Sequence, residues 1–448
     1  MGGAILYRCR RKGEACKMDN LMEDQISVLP DELVCTILSL LTMKEAARTS
    51  VLSRRWENLW KYFTGSLDFD GSKTMDRMAE NMKTMPLATE RNKVCFDLDK
   101  NSANIIDGWI NFAMEKRVRR LELDLLESFN AFRVGRSYTF PLISLPVVRF
   151  SLLTALCLKK VDMTDDVFAH LLSNCPLIEE LSLVDSRSLI NVKIAGPLKL
   201  KCLELALCRS LKNIEISAIN LVSFKYFGPR IYIPFFDIPL LSELSIGGFD
   251  CAHVVCTPPL SGVFYQLETL VLHLDFTLDE MSCFSRTCPE FRHLKNLELE
   301  VTADADQSVL CLNYLIDASP CLYKLVFKFW YGGCLSLYPR EPEAEEFAGW
   351  RRGKPREEGR NRGLECLKVL EIAGWVGNTS DTELAMNLLE NAVSLDKIII
   401  DPGYPSCNFM RSFEAKHLSA KWNDLAGARE RAKQLESKLH PGTELVIL

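Results

Sequence analysis

A short alternating pattern, rich in leucine, returns along most of this chain at nearly constant intervals. It reads VRRLELDL at 118–125, LTALCLKKV at 153–161, IEELSLVDS at 178–186 and LKCLELALC at 200–208. It returns as LLSELSIGG at 240–248, LETLVLHL at 267–274, LKNLELEV at 294–301, LYKLVFKF at 322–329, LKVLEIAGW at 367–375 and LDKIIIDP at 395–402. Apolar–polar alternation over this length is the signature of a strand that buries one face. The step between the central apolar residues of successive copies is 22 residues for Leu181 to Leu203, 26 for Leu244 to Leu270 and 27 for Leu270 to Leu297. It is 28 for Leu297 to Leu325 and again for Leu370 to Ile398. The longer step of 41 residues, Leu203 to Leu244, has a degenerate copy (LVSF, 221–224) midway. A unit this small cannot cover its own apolar face, whereas stacked copies can. The spacing therefore predicts an α/β fold in which each strand lies beside the next. Segments 167–175 (VFAHLLSNC) and 309–319 (VLCLNYLIDAS) have a helical pattern, end before Pro176 and Pro320, and supply connectors. An ordinary α/β domain with leucine-rich strands is the alternative, and nine or ten copies at this spacing disfavour it.

These copies resemble leucine-rich repeats, in the irregular "LLSNCP-x-x-EEL-x-L" form found in plant F-box proteins. The resemblance implies a solenoid, or horseshoe, with one strand per repeat. The asparagine ladder of the better-known repeat type is mostly missing here. Segment 339–363 breaks the pattern with seven basic residues, six acidic residues and three prolines, and separates Leu325 from Leu370 by 45 residues. It reads as a mobile insertion between repeats; its interleaved glutamates favour a solvated loop over a nucleic-acid patch.

Upstream, residues 24–63 carry three helical signals. Pro30 suits a first helical turn, with Asp31 and Glu32 adding favourable charge there. Thr42 and Glu45 fit a capping box for a second helix from about Met43, and Ser53 can cap a third that carries Trp56, Leu59 and Trp60. In the first helix Leu33, Val34, Ile37, Leu38, Leu40 and Leu41 cover an arc of about 160°, wider than one buried stripe. A segment of about 40 residues seldom folds alone. Some of this surface must pack elsewhere, on the rest of the chain or on a partner.

This stretch closely resembles an F-box in the form common in plants. The features that carry the match are Ile26, Leu29-Pro30, Leu33, Ile37-Leu38, the run 48–53 (RTSVLS), Arg55-Trp56 and Leu59-Trp60. The resemblance implies docking onto a Skp-type adaptor and, through it, a cullin–RING ubiquitin ligase. The adaptor-binding residues it implies are Leu29, Pro30, Leu33, Ile37, Leu38, Val51, Leu52 and Trp56, with Trp60 supporting. Part of this set must also form the module's own core.

Near the other end, 363–402 resembles the FBD domain of many plant F-box and leucine-rich-repeat proteins. The match rests on a strand at 367–372, a helix at 382–392 capped by Asp381 or Thr382, and a strand at 395–400. A charged helical stretch (429–439) and a final strand (444–448) are expected to cap the open end of the array. Between the F-box and the repeats, 94–99 alternates like a strand and 105–114 like a short amphipathic helix.

No motif for catalysis stands out. Gly-x-Gly-x-x-Gly, the phosphate loop, His-Glu-x-x-His and Gly-x-Ser-x-Gly are all missing. The six histidines are scattered, and Cys251, Cys256, Cys283 and Cys288 lack the paired histidines of a zinc site. No cofactor or metal is therefore expected. A net charge of −5 gives no sign of a phosphate-binding surface, so no nucleic-acid partner is expected. The 17 cysteines show no disulfide framework, which suits a reducing compartment. There is no secretory signal pattern and no span of 18 apolar residues, so no membrane is expected, and the compartment read is nucleus or cytoplasm.

One aromatic cluster, Tyr226, Phe227, Tyr232, Phe235 and Phe236 with Phe224 nearby, is the candidate target-binding surface. Trp330, Tyr331 and Trp350 form a second candidate. Taken together, the chain reads as a non-catalytic substrate-recognition subunit: a tail (1–22), an F-box (23–64), a connecting region (65–117), repeats (118–363) and an FBD domain with a cap (364–448). The F-box would hold the adaptor, and the repeats a target protein. A repeat scaffold working outside any ligase, with its helical module packed on its own repeats, is the alternative.

Overall fold

The computed structural model describes residues 29–39, 48, 49, 55, 66–70, 91–95, 103–115, 117–125, 137–141, 150–196, 198–248, 263–276, 290–331, 364–403, 405 and 424–448. Its strands begin with β1 (Ser66–Asp70), β2 (Arg91–Cys95), β3 (Arg120–Asp124), β4 (Tyr138–Thr139), β5 (Ala155–Lys159) and β6 (Val161–Asp162). There follow β7 (Glu180–Val184), β8 (Asn191–Ile194), β9 (Cys202–Ala206), β10 (Asn213–Ser217), β11 (Ser223–Gly228), β12 (Phe235–Phe236) and β13 (Glu243–Gly248). The last are β14 (Thr269–Asp275), β15 (Asn296–Ala303), β16 (Lys324–Tyr331), β17 (Val369–Ala373), β18 (Lys397–Asp401) and β19 (Glu444–Ile447). Fourteen of them form one sheet in the order β1-β2-β3-β5-β7-β9-β11-β13-β14-β15-β16-β17-β18-β19. Its pairs are parallel, so the chain must cross back between every two strands.

The register follows the spacing read in the sequence. Leu121, Leu156, Leu181, Leu203, Phe224, Leu244, Leu270, Leu297, Leu325, Leu370 and Ile398 stand side by side. Two residues further on, Leu123, Leu158, Leu183, Leu205, Tyr226, Ile246, Leu272, Leu299, Phe327, Ile372 and Ile400 form a second row, and both rows are buried. Each such side chain contributes about 1.5–3 kcal/mol of burial, which makes these rows the main source of stability. The degenerate copy at 221–224 enters β11, with Phe224 taking the central place. Leu325 pairs directly with Leu370, so the 44 intervening residues leave the sheet unbroken; the insertion itself lies outside the described residues. Nor is the sheet interrupted at 117 or 363, since β1 and β2 precede the first of these positions and β17 to β19 follow the second.

Connectors cover the apolar side. Helix α1 spans Asp31–Ser39, α2 Ala103–Glu115, α3 Asp165–Asn174, α4 Asn313–Asp317, α5 Thr379–Asn391 and α6 Leu425–Lys433. Thr164 caps α3 by accepting from the Val167 N–H, with Asp165 and Asp166 in the first turn, and α3 buries Val167, Phe168, Leu171 and Leu172. A small parallel sheet, β12-β10-β8, adds Val192, Ile194, Ile214 and Ile216 to the same core. Side-chain amides also join neighbouring turns: Asn220 Nδ2 donates to the Leu198 carbonyl and Gln266 Nε2 to the Ile238 carbonyl, both at 2.7 Å.

Three expectations need correction or qualification. The early strand is described at Arg91–Cys95, with Val94 beside Leu123, so it starts before the expected 94; residues 96–99 lie outside the described residues. Helix α5 starts at Thr379, three residues before the expected start, with Asn378 at the cap position. Asp381 sits in the first turn and reaches back to accept from the Val376 and Gly377 N–H groups at 2.8 and 2.9 Å, satisfying the loop that enters the helix. The second and third helices of the F-box stretch lie outside the described residues, apart from Arg48, Thr49 and Arg55.

Burial pushes the Asp317 carboxyl, at the end of α4, up to about 6. Its buried Oδ1 has no hydrogen-bond partner among the described residues. The folded value lies above the unfolded value near 4, so the folded state gains from protonation. That gain is full below about pH 4 and is lost as pH rises through about 6. Asp317→Asn is therefore expected to melt higher than the wild type at pH 7.5, with the difference shrinking towards zero at pH 4. An equal difference at both pH values would contradict this origin.

Candidate protein-binding surfaces

Helix α1 carries apolar residues on two faces that meet different surroundings. Val34 and Leu38, one turn apart, are fully buried and belong to the contiguous core that includes Ile106 and Ile110 of α2. Leu33 and Ile37, also one turn apart and rotated by about 100°, are 50% and 41% exposed. Pro30 is exposed beside them, and Leu29 is half-buried against the core. The broad apolar arc thus splits into one face that anchors the helix and one that stays open. Leu38, expected at the adaptor-binding surface, is instead buried in this chain's own core, because its one-turn spacing from Val34 turns it inward. Val51, Leu52, Trp56 and Trp60 lie outside the described residues.

The start of α1 is tied to a distant residue. Arg55 Nε and Nη2 donate to Asp31 Oδ1 at 2.9 and 2.6 Å, and Nη2 also donates to the Leu29 carbonyl. Leu33 and Val34 N–H groups both bond the Pro30 carbonyl at 3.1 Å, which begins the helix.

The second surface is the face of the large sheet opposite the two apolar rows. Across β3 to β13 it forms a groove of about 270 Å³. Its floor is built from small side chains, Ala155, Cys157, Ser182, Cys202 and Ser223, one or two per strand. Charged residues flank it: Arg120 and Glu180 form a two-pronged ion pair at 3.0 and 2.7 Å across the short Ala155. Ser182 donates to Glu204 at 2.6 Å, while Lys159 holds Asp124 at 2.9 Å. Burial pushes the Cys157 thiol up to about 11, so it stays protonated at neutral pH and is a poor nucleophile. No group of three or more His, Cys, Asp or Glu among the described residues is placed to hold a metal ion. No described helix is long and apolar enough to cross a membrane.

Further along the same face lies a buried ionic cluster that no sequence motif announced. Glu300 is fully buried, with Lys328 Nζ and His273 Nδ1 each 3.4 Å from its carboxylate. Lys328 also ion-pairs with Glu298. The three buried members, His273, Glu300 and Lys328, are register partners on β14, β15 and β16.

The aromatic cluster separates into two groups. Tyr232 and Phe236 are 63% and 55% exposed, and Phe235 is half-buried, edge-on to Phe224 at 5.5 Å. Tyr226 and Phe227 are corrections, because both are buried. Tyr226 occupies the second apolar row, and its hydroxyl donates to the Pro229 carbonyl in space that a side chain at Gly228 would fill. The Phe227 ring lies where a side chain at Gly247 would be, edge-on to His273 at 5.4 Å. Trp330 and Tyr331 are likewise buried at the end of β16, and Trp350 lies outside the described residues.

Comparison with protein families agrees with both regions. The model of the At1g61320/AtMIF1 leucine-rich-repeat domain matches residues 145–435, and the F-box domain model matches 26–64. Among similar proteins of Arabidopsis thaliana, one named as an F-box protein (At1g49610) is 34% identical over 252 residues, 51% of this chain and 62% of that protein. F-box/LRR-repeat protein At2g42730 is 28% identical over 466 residues, 88% of this chain and 95% of that protein. F-box/FBD/LRR-repeat protein At5g22700 is 29% identical over 191 residues, 38% of this chain and 44% of that protein. This chain thus spans less than two thirds of the first and third relatives and nearly all of the second.

Proposed function

We propose, because this chain belongs to the At1g61320/AtMIF1 leucine-rich-repeat family and carries an F-box, that it is the substrate-recognition subunit of a Skp–cullin–F-box ubiquitin ligase. The observation that carries this reading is the exposed pair Leu33 and Ile37 beside Pro30, on a helix whose opposite residues are buried in the chain's own core. An apolar pair held outward on a fixed helix suits the groove of an adaptor. In this reading Leu29, Pro30, Leu33 and Ile37 meet the adaptor, joined by Val51, Leu52, Trp56 and Trp60 from the rest of a three-helix module. The cullin–RING scaffold follows through the adaptor.

The target protein would lie in the groove across β3 to β13, with Tyr232 and Phe236 as a second contact region. The array would curve as a horseshoe around it, and 364–448 would form an FBD-type end. The strand–helix–strand of β17, α5 and β18 supports that last assignment. Holding a target lysine near a charged ubiquitin carrier raises its effective concentration, so the subunit accelerates transfer while making no bond itself. The work would be done in the nucleus or cytoplasm, without a cofactor.

The second reading, a repeat scaffold outside any ligase, draws support from Val34 and Leu38, which show that α1 does pack on its own chain. Co-purification with Skp-type adaptors separates the two: a stable complex supports the ligase subunit, and no complex with any adaptor leaves the scaffold.

A further inference from the structure

We propose that Arg55 is the positioning residue of the adaptor-binding surface, clamping the Leu29–Pro30 turn so that Pro30, Leu33 and Ile37 are presented together; this rests on the adaptor reading above. Three hydrogen bonds leave one guanidinium for two acceptors, Asp31 Oδ1 and the Leu29 carbonyl. Pro30 has no N–H with which to fix its own turn, and the Pro30 carbonyl is already committed to Leu33 and Val34. Those bonds tie Pro30 to the helix, and the Leu29 carbonyl before it is held by a donor from elsewhere in the chain. Arg55 supplies it from 24 residues beyond Asp31.

Arginine suits this task because its donors are fixed in one plane, whereas a lysine ammonium cannot hold both acceptors in a set geometry. The pair is partly exposed, with 33% of the Arg55 and 63% of the Asp31 side chain open to solvent. An exposed ion pair adds little to overall stability. The clamp's effect should therefore appear in presentation of the surface, with little change in the stability of the repeats.

The test uses the full-length chain with a purified Skp-type adaptor, comparing wild type, Arg55→Lys, Arg55→Ala and Asp31→Asn by calorimetric titration. Hydrogen exchange is followed in the same samples. Arg55→Ala is expected to weaken the adaptor about tenfold, with Arg55→Lys and Asp31→Asn in between. Amides at 29–39 should exchange faster in Arg55→Ala, while the repeats keep their protection and the melting temperature holds. Binding by Arg55→Ala within twofold of wild type, when wild type binds, overturns this inference alone. Weakened binding that comes only with a general loss of protection across the repeats also overturns it. Failure of the wild type to bind any adaptor removes the ligase reading, and this inference with it.

Discussion

Under the proposed function, the chain carrying Leu33→Ala and Ile37→Ala is expected to bind a Skp-type adaptor at least a hundredfold more weakly than the wild type, while its thermal unfolding stays unchanged. Both side chains are roughly half exposed in the free chain, so truncating them opens no cavity and removes little packing. Surface changes of this kind usually shift stability by less than about 0.5 kcal/mol. At an interface the same residues would sit at the centre of a desolvated patch, where each truncation costs about 2 kcal/mol or more. Two of them reach 3–4 kcal/mol even with some non-additivity, and about 1.4 kcal/mol is a factor of ten. The mirror pair, Val34→Ala and Leu38→Ala, should behave in the opposite way. Those residues are fully buried, and a buried leucine-to-alanine change costs about 2–5 kcal/mol. Titration calorimetry and a melting curve on the same three samples, the wild type and the two double variants, decide the matter. If the exposed pair lowers the melting temperature and spares binding, the partition of this helix is wrong.

Lys328→Ala is expected to destabilise the repeats by about 3–5 kcal/mol, the cost of leaving a buried charge without its partner. Glu300 is fully buried, and Lys328 ion-pairs with both it and Glu298, so the substitution removes the cation beside a buried carboxylate that His273 also approaches. Replacing both members by neutral residues of similar shape, Lys328→Met with Glu300→Gln, should recover most of the loss, because a buried ion pair is often no better than apolar packing. Urea unfolding of the three proteins at equal pH reads this directly. Equal destabilisation by the single and double variants would show that packing volume, and not uncompensated charge, is what the position supplies.

The strand register was legible because strand alternation has a period of two and the copies recur every 22–28 residues; that arithmetic alone aligned Leu181 with Leu203 and Leu297 with Leu325. The ionic cluster was not legible. His273, Glu300 and Lys328 are 27 and 28 residues apart and meet only once the register brings them together. Tyr226 and Phe227 misled because aromatic residues near prolines look alike whether they line a surface or fill a core. The discriminating signal was glycine: Gly228 makes room for the Tyr226 ring and Gly247 for Phe227. In α1 the width of the apolar arc foretold two uses, but only the packing shows that Val34 and Leu38 serve the chain while Leu33 and Ile37 stay open. Asp381 and Thr382 both suit a cap because they precede a helical pattern; that Asp381 instead reaches back to Val376 and Gly377 depends on a loop conformation that composition does not encode.

The measurement that bears most directly on this account is whether the full-length wild-type chain, mixed with a purified Skp-type adaptor, elutes with it as a one-to-one complex in size-exclusion chromatography. A stable complex that assembles further with a cullin–RING scaffold is the predicted result. Separate elution from every adaptor tested would contradict the ligase assignment and leave a leucine-rich-repeat scaffold whose open helix face serves another partner.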